Sequence, residues 1–154
     1  MKRIAVCPGS YDPVTKGHFD LVCRARDLFG ECEVVVMNNR DKSHFFSMEK
    51  RTALCRAAFE NEKGIRVLSS EGMLWEYLLG REVVLVKGLR NETDFLYERE
   101  MARFNKEKCG VETLYLDTDP ALAGLSSTQV RKILSENGDV SALMPENAVK
   151  LLGK

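Results

Sequence analysis

Cysteine pairs at the C-x-x-C spacing of zinc and redox sites are absent from this sequence, although it contains five cysteines. The odd number also argues against a complete disulfide framework. Unpaired thiols are typical of a reducing compartment, so we expect a cytoplasmic protein. Repeats, low-complexity tracts and flexible linkers are absent too, and the chain has only 4 prolines and 11 glycines. We therefore expect residues 1–154 to form one domain.

Long apolar segments are also missing. The first apolar run, Ile4–Cys7, stops at Pro8 and is too short for a signal peptide, and no later run has the length needed to span a bilayer. Lys plus Arg and Asp plus Glu each total 23, so the formal net charge is zero. A neutral chain has no overall field that attracts nucleic acid or an anionic membrane, and we expect neither partner. Any anion site has to be local.

The residues that are present, 44% hydrophobic and 30% charged, are typical of a compact domain. Short β-branched runs predict five largely buried strands, at Arg3–Cys7, Glu33–Asn38, Ile65–Ser69, Val83–Lys87 and Glu112–Asp117. Helical patterns lie between and after them, at His18–Phe29, Met48–Asn61, Met73–Leu79, Glu92–Lys108, Ser127–Glu136 and Pro145–Leu152. This alternation predicts a doubly wound, Rossmann-like α/β fold with a five-stranded parallel sheet. Chemistry in such a fold belongs at the carboxyl ends of the strands, near the switch point in strand order.

The segment from Pro8 to His18, after the first strand, is the first candidate site. We count it as a connection of about nine residues, longer than the usual two to six, which suggests function. It has neither G-x-G-x-x-G nor the G-K-[S/T] ending of a P-loop, which argues against dinucleotide dehydrogenases and Walker-type NTPases. It offers the Ser10 hydroxyl and His18 at a helix N-terminus, where N–H groups and the helix dipole favour phosphate. The alternative is that His18 only caps this helix.

A second candidate lies after the fifth strand, where Ser126, Ser127 and Thr128 form the first turn of a helix. Ser126 with Gln129 is typical of a capping box. Hydroxyls and uncommitted N–H groups suit a polyphosphate, although serine and threonine are also common helix caps. Both candidates fall on the same rim of the predicted sheet, so together they predict a phosphate site.

The same residues carry a family resemblance. Thr15-x-Gly17-His18 with Leu125-Ser-Ser-Thr-x-x-Arg131 resembles the paired motif of the HIGH-type nucleotidyltransferases. The narrower resemblance is to bacterial phosphopantetheine adenylyltransferases, and it extends from the first strand to Asn147. It is carried by Gly9-Ser-Tyr-Asp-Pro-Val-Thr-Lys-Gly-His18, Lys42, Gly88-Leu-Arg90-x-x-x-Asp94-Phe-x-Tyr-Glu98, Gly138-Asp139-Val140 and Pro145-Glu-Asn147.

This resemblance implies an enzyme of coenzyme A biosynthesis that transfers AMP from ATP to 4′-phosphopantetheine, giving dephospho-coenzyme A and pyrophosphate. In-line attack at the α-phosphorus needs positioning and charge stabilisation, so we expect no covalent enzyme intermediate. Mg²⁺ would be held mainly by ATP oxygens and water rather than by a protein metal site. The resemblance also implies a homohexamer, and coenzyme A as a product-like ligand.

Site residues follow from the resemblance position by position. The catalytic residues implied are His18, Lys42 and Arg90. The implied acceptor contacts are Ser10, Lys42, Leu74 and Lys87. The implied ATP contacts are Ser10, Tyr11, His18, Gly88, Leu89, Arg90, Glu98, Leu122, Ala123, Gly124, Leu125, Ser126, Ser127 and Thr128. Simpler explanations exist for three of them, because Lys42 and Glu98 also fit solvated charges and Leu74 fits core packing.

The sequence departs from the family pattern at three places. Lys87 stands where arginine is usual, which keeps the charge but loses the bidentate fork. Ser10 stands where threonine is common, and residues 117–124 lack the aromatic residues often found there. We expect no site role for His44. Two other functions stay open, a non-catalytic nucleotide sensor on the same fold and a nucleotidyltransferase with another acceptor, and an assay of pyrophosphate release against several acceptors separates them.

Overall fold

The computed structural model describes residues 2–153, which form a five-stranded parallel sheet in the order β3-β2-β1-β4-β5. The strands are β1 (Ile4–Gly9), β2 (Cys32–Met37), β3 (Ile65–Ser70), β4 (Val83–Leu89) and β5 (Thr113–Asp117). Strand order reverses at β1, which pairs with β2 on one side and with β4 on the other. The predicted doubly wound α/β fold is confirmed, and the carboxyl ends of β1 and β4 form its switch point.

Six helices connect and follow the strands. They are α1 (Lys16–Phe29), α2 (Met48–Phe59), α3 (Leu74–Leu78), α4 (Glu92–Cys109), α5 (Ser127–Ser135) and α6 (Glu146–Leu151). Each predicted helix is present, with its ends shifted by at most two residues. Within residues 2–153, the longest and most apolar helices still fall short of what a membrane crossing requires.

The core lies on both faces of the sheet because successive strand side chains point to opposite faces. In β2, Val34 and Val36 pack under α1, α2, α5 and α6, whereas Val35 packs on the other face, which α3 covers. All three valines are fully buried. Burying one such side chain contributes about 1.5–3 kcal/mol, so the central strands hold the switch point rigidly.

The expectation that all five strands are largely buried is wrong for β3 and β5. Every residue of these two strands is partly or fully exposed, and Leu114 of β5 is 45% exposed. Both strands lie at the edges of the sheet, where each has only one neighbouring strand. Apolar content alone does not distinguish an edge strand from a central one.

The connection from β1 to α1 is also shorter than expected. The helix begins at Lys16, with Thr15 as its N-cap, so only residues 10–15 lie between the two elements. That length is ordinary for such a connection, and the inference drawn from an unusual length is wrong. His18 is therefore the third residue of the helix rather than its first.

Candidate active site

A cleft of about 370 Å³ opens at the carboxyl ends of β1 and β4, between the N-termini of α1 and α5. This is the position that the parallel sheet predicts for chemistry. Its walls are formed by Cys7, Pro8, Gly9, Tyr11, Thr15, Gly17, His18, Leu21, Val86, Lys87, Gly88, Arg90, Asp94, Glu98, Thr118, Leu122, Leu125, Ser126, Ser127 and Thr128. Both phosphate motifs predicted from the sequence therefore face one cavity.

Tyr11 forms part of the wall next to β1. Its backbone has a φ of 48°, and its hydroxyl donates a 2.8 Å hydrogen bond to the carbonyl oxygen of Cys7. A Cβ at position 9 would lie 3.2 Å from the Tyr11 ring, so glycine there gives the ring room. The ring lies 4.8 Å from the imidazole of His18, centroid to centroid. Burial raises the pKa of Tyr11, which stays a neutral phenol that supports His18.

His18 is held by a complete capping box at the start of α1. The Thr15 N–H donates to Nδ1 of His18 at 3.0 Å, and the His18 N–H donates to Oγ1 of Thr15 at 3.3 Å. A backbone N–H can only donate, so Nδ1 has to present its lone pair and the proton of the neutral ring lies on Nε2. The capping alternative considered from the sequence is therefore real, and it leaves the second ring nitrogen available as a donor.

The charge of His18 is set by its surroundings. Desolvation, followed by the positive charges of Arg90 and Lys87, lowers the pKa of His18 to about 4. The ring is therefore neutral at pH 7. A neutral Nε2–H donor suits an oxygen that gains negative charge during a reaction.

Two cations of the cleft are paired with carboxylates. Nζ of Lys87 lies 3.4 Å from Oε2 of Glu98, and Nε of Arg90 lies 3.2 Å from Oδ2 of Asp94. Arg90 also donates to the carbonyl oxygen of Leu125 at 3.4 Å. Pairs of this exposure contribute about 0–1 kcal/mol, so an anionic ligand can displace the carboxylates at little cost.

The N-terminus of α5 is tied to the β1–α1 connection. Oγ of Ser126 accepts a hydrogen bond from the Gln129 N–H, which is one half of the predicted capping box. Oγ of Ser127 donates to the carbonyl oxygen of Pro13 at 2.9 Å. These hydroxyls thus act as caps and tethers. The N–H groups of Ser127 and Thr128 belong to the first turn, where the helix supplies no acceptor for them.

A smaller pocket of about 120 Å³ adjoins the cleft and shares Pro8, Lys87 and Glu98 with it. Its other lining residues are Leu74, Leu85, Tyr97, Met101, Ala102, Asn105 and Thr113. Most of these are apolar. Oγ1 of Thr113 is buried there without a hydrogen-bond partner among residues 2–153. A mainly apolar lining with few polar groups suits a thin, largely apolar ligand.

The structure brings most of the predicted site residues together. Leu74 and Lys87 line the smaller pocket, and the cleft is lined by Tyr11, His18, Gly88, Arg90, Glu98, Leu122, Leu125, Ser126, Ser127 and Thr128 of the predicted ATP contacts. Five predicted contacts are not part of either lining: Ser10, Lys42, Leu89, Ala123 and Gly124. Lys42 is exposed in the connection between β2 and α2. The roles of these five residues stay predictions.

Sequence reasoning missed several polar residues of the two cavities. Asp94 is part of the motif but has no predicted role, and its pairing with Arg90 carries no helical signal because Arg90 precedes the N-cap of α4. Asn105 and Thr113 had no such signal, because they meet only where α4 packs beside β5. Thr118 follows the carboxyl end of β5, which is the position where site residues are expected.

Known proteins resemble this chain over nearly its whole length. The sequence profile described as cytidylyltransferase-like matches residues 6–133. A protein of Streptomyces coelicolor is 42% identical over 151 residues, covering 97% of this chain and 95% of its own. Proteins of Frankia alni and Frankia casuarinae are 42% and 40% identical over 155 residues, covering 97% of this chain and 96% of theirs. All three relatives are named phosphopantetheine adenylyltransferase.

Proposed function

Because this chain belongs to the cytidylyltransferase-like family and, within it, to the phosphopantetheine adenylyltransferases, it is a nucleotidyltransferase, and we propose that it transfers AMP from ATP to 4′-phosphopantetheine. The products are dephospho-coenzyme A and pyrophosphate. One observation carries the proposal. A cleft with two helix N-termini and two cations meets a narrow, mainly apolar pocket at Lys87.

The cleft supplies what a triphosphate requires. The first turn of α1 leaves only the Gly17 N–H, because those of Lys16 and His18 donate to the Leu143 carbonyl and to Oγ1 of Thr15, whereas α5 leaves those of Ser127 and Thr128. Both helices add the positive ends of their dipoles. Nε2 of His18 adds a neutral donor, and Arg90 adds a guanidinium that can bind two phosphate oxygens. We therefore assign the ATP phosphates to the space between α1, α5 and Arg90.

The smaller pocket supplies what the acceptor requires. Phosphopantetheine has a phosphate at one end and a thin arm that contains amides. Lys87 lies at the junction of the two cavities, where its ammonium group can bind the acceptor phosphate. Leu74 and Met101 supply apolar wall. This arrangement directs the acceptor phosphate toward the ATP site.

The reaction proposed is direct in-line displacement. An oxygen of the acceptor phosphate forms the new bond to the α-phosphorus, while the bond from that phosphorus to the pyrophosphate oxygen breaks. The nucleophile is the acceptor itself, so the enzyme needs no covalent intermediate. Charge grows on the pyrophosphate and on the oxygens of the α-phosphorus, where the Nε2–H of His18 and the Arg90 guanidinium stabilise it.

Mg²⁺ is part of the proposal, since it neutralises phosphate charge in reactions of this type. The carboxylates on the cleft wall, Asp94 and Glu98, are already paired with Arg90 and Lys87. Residues 2–153 contain no group of three or more His, Cys, Asp or Glu side chains arranged to hold a metal ion. We propose that the cation is carried mainly by ATP phosphates and water.

We also propose that the chain works in the cytoplasm as a homohexamer that accepts coenzyme A as a product-like ligand. Residues 7, 23, 32, 55 and 109 are all free thiols, which suits a reducing compartment. The surface of α4 exposes Phe95, Leu96, Tyr97, Met101 and Phe104 by 36% to 63%. Apolar residues grouped in this way are typical of a contact between subunits.

Purified protein with Mg·ATP tests the proposal. We expect 4′-phosphopantetheine to be consumed with release of pyrophosphate, and ATP to be a better donor than CTP. Nicotinamide mononucleotide and glycerol phosphate serve as the competing acceptors. Activity with one of them but not with phosphopantetheine contradicts the proposed acceptor. Binding of ATP without pyrophosphate above background shows a nucleotide sensor instead.

A further inference from the structure

Arg51, in the first turns of α2, is a buried cation outside both cavities. Only 1% of its surface is exposed, and its guanidinium donates to oxygens of three separate segments. Nε donates to the Phe46 carbonyl at 3.1 Å, and Nη1 donates to the carbonyls of Ser10 and Met37, both at 2.9 Å. Nη2 donates to Oδ1 of Asn38 at 3.0 Å. The four acceptors are neutral, which is unusual because buried charges are normally paired.

A carboxylate of opposite charge binds the same residue, Phe46. The carboxylate of Asp12, which is 5% exposed, accepts the N–H groups of Phe45 and Phe46 at 2.7 and 2.9 Å. Phe46 is therefore held from both sides, its N–H by Asp12 and its carbonyl by Arg51. Burial lowers the pKa of Arg51, and the charge of Asp12 opposes this. The two residues form what we call the Phe46 clamp.

The Phe46 clamp determines where the β2–α2 connection lies. It joins the start of the β1–α1 connection at Ser10, the end of β2 at Met37, and the end of the β2–α2 connection. The exposed Lys42 lies within that last connection, between two clamped points. A flexible lysine on a free connection would sample many positions, and ordering it during binding would weaken affinity. Anchoring both ends of the connection removes part of that cost.

We propose that Arg51 is a positioning residue that, through the Phe46 clamp, holds Ser10 and Lys42, two of the acceptor contacts predicted from the sequence, in position to bind the acceptor. This inference rests on the proposed function and adds the residue that sets acceptor affinity. Among residues 2–153 Arg51 has no hydrogen bond to α1, α5 or Arg90, and its one bond to an implied ATP contact goes to the backbone carbonyl of Ser10, so we expect ATP binding to depend on it less. The N-terminus of α5 is tied to the same connection by a bond that does not involve Arg51, because Arg131 donates to the Asp12 carbonyl at 2.9 Å.

The substitution Arg51→Lys tests the proposal. Lysine keeps the charge, but its single ammonium nitrogen cannot reproduce the planar fork whose three nitrogens reach four separate acceptors in the wild type. If a displaced Lys42 loses one charge-assisted hydrogen bond to the acceptor phosphate, the KM for phosphopantetheine rises on the order of tenfold to a hundredfold, with the KM for ATP changed less than about threefold. The matched control is Arg26→Lys, because Arg26 similarly clamps the Lys63 carbonyl at the far end of α1. We expect both KM values of this control to match the wild type. An equal rise for both substrates in Arg51→Lys overturns the proposal.

Lys42→Ala provides the second arm. If Arg51 acts through Lys42, the double variant has nearly the same acceptor KM as Lys42→Ala alone. Fully additive effects overturn the action through Lys42. The proposed function is tested separately by pyrophosphate release from the wild type. If the wild type releases none, the proposed function fails, but the hydrogen-exchange test of the clamp is unaffected.

Hydrogen exchange measures the clamp without using activity. We expect the amides of Phe45 and Phe46 to exchange at least about tenfold faster in Arg51→Lys than in the wild type, while amides of central β2 stay protected. If Arg51→Lys does not fold, Asn38→Ala removes only one acceptor and should shift exchange and acceptor KM in the same direction, by less. Unchanged exchange and unchanged acceptor KM in a folded variant of either kind overturn the proposal.

Discussion

Replacement of His18 by glutamine separates the two roles of this side chain, the helix cap and the donor in the cleft. In the wild type Nδ1 accepts the Thr15 N–H, which leaves Nε2–H as the ring donor of a residue that lines the cleft. Glutamine at the third position of a helix is a standard partner for an N-cap threonine, because its side-chain oxygen accepts the same N–H. The terminal amide is then turned back toward Thr15. His18→Gln thus retains the cap and removes the donor.

The expected magnitudes differ for the two roles. Loss of one donor to a developing negative charge lowers kcat by about 10²- to 10³-fold, or about 2.7–4 kcal/mol. The free energy of unfolding of His18→Gln should stay within about 0.5 kcal/mol of the wild type. His18→Ala should lose a similar factor in kcat, and about 1 kcal/mol of stability as well, because the Thr15 N–H loses its acceptor.

Three measurements on three variants test this reasoning: pyrophosphate release for kcat, calorimetry for ATP affinity and urea unfolding for stability. Thr15→Ala is the matched control, since it removes the N-cap hydroxyl but leaves the imidazole, and it should lose about 1 kcal/mol of stability with little change in kcat. Because the donor acts on charge that grows during the reaction, ATP affinity should change far less than kcat. A His18→Gln enzyme with wild-type kcat would refute the catalytic role and leave His18 as a helix cap.

Three further predictions concern pH, the acceptor cation and assembly. His18 has a pKa of about 4 in the folded protein and about 6.5 in the unfolded chain, so the unfolded chain takes up the proton first as the pH falls. The free energy of unfolding should therefore decrease between about pH 6.5 and about pH 4. An NMR titration midpoint of His18 near 6.5 in the folded protein would contradict this. Lys87→Ala should lower kcat/KM for phosphopantetheine about tenfold to a hundredfold, with a smaller effect for ATP, whereas Lys87→Arg should retain much activity; equal effects on both substrates would argue against an acceptor role. Light scattering at micromolar concentration should give a mass well above the 17.4 kDa chain, and Leu96→Asp should lower it; a wild-type monomer would exclude the assembly.

Strand and helix order were predictable because they depend on patterns within a few residues. The apolar run Val83–Val86 predicts a buried strand from its own composition, and it is buried in β4. Ser126 caps a helix through a bond to Gln129, only three positions away. Parallel strands bring their carboxyl ends to one rim, so His18 and Ser127 were expected at the same site before their contacts were known. Local hydrogen bonding and sheet geometry explain these agreements.

Contacts between distant residues were not predictable in the same way. Arg51 bonds to Ser10 across 41 positions, and Ser127 bonds to Pro13 across 114. Composition and periodicity carry no information about which side chains meet at such separations, because those meetings depend on how helices pack over the sheet. The exposure of β3 and β5 has the same origin, since the number of neighbours of a strand follows from sheet order. Local sequence pattern is sufficient to predict the helices and strands and the edge of the sheet where the site lies. The protonation state of His18 and the burial of Arg51 arise only when packed neighbours exclude water and place charges nearby.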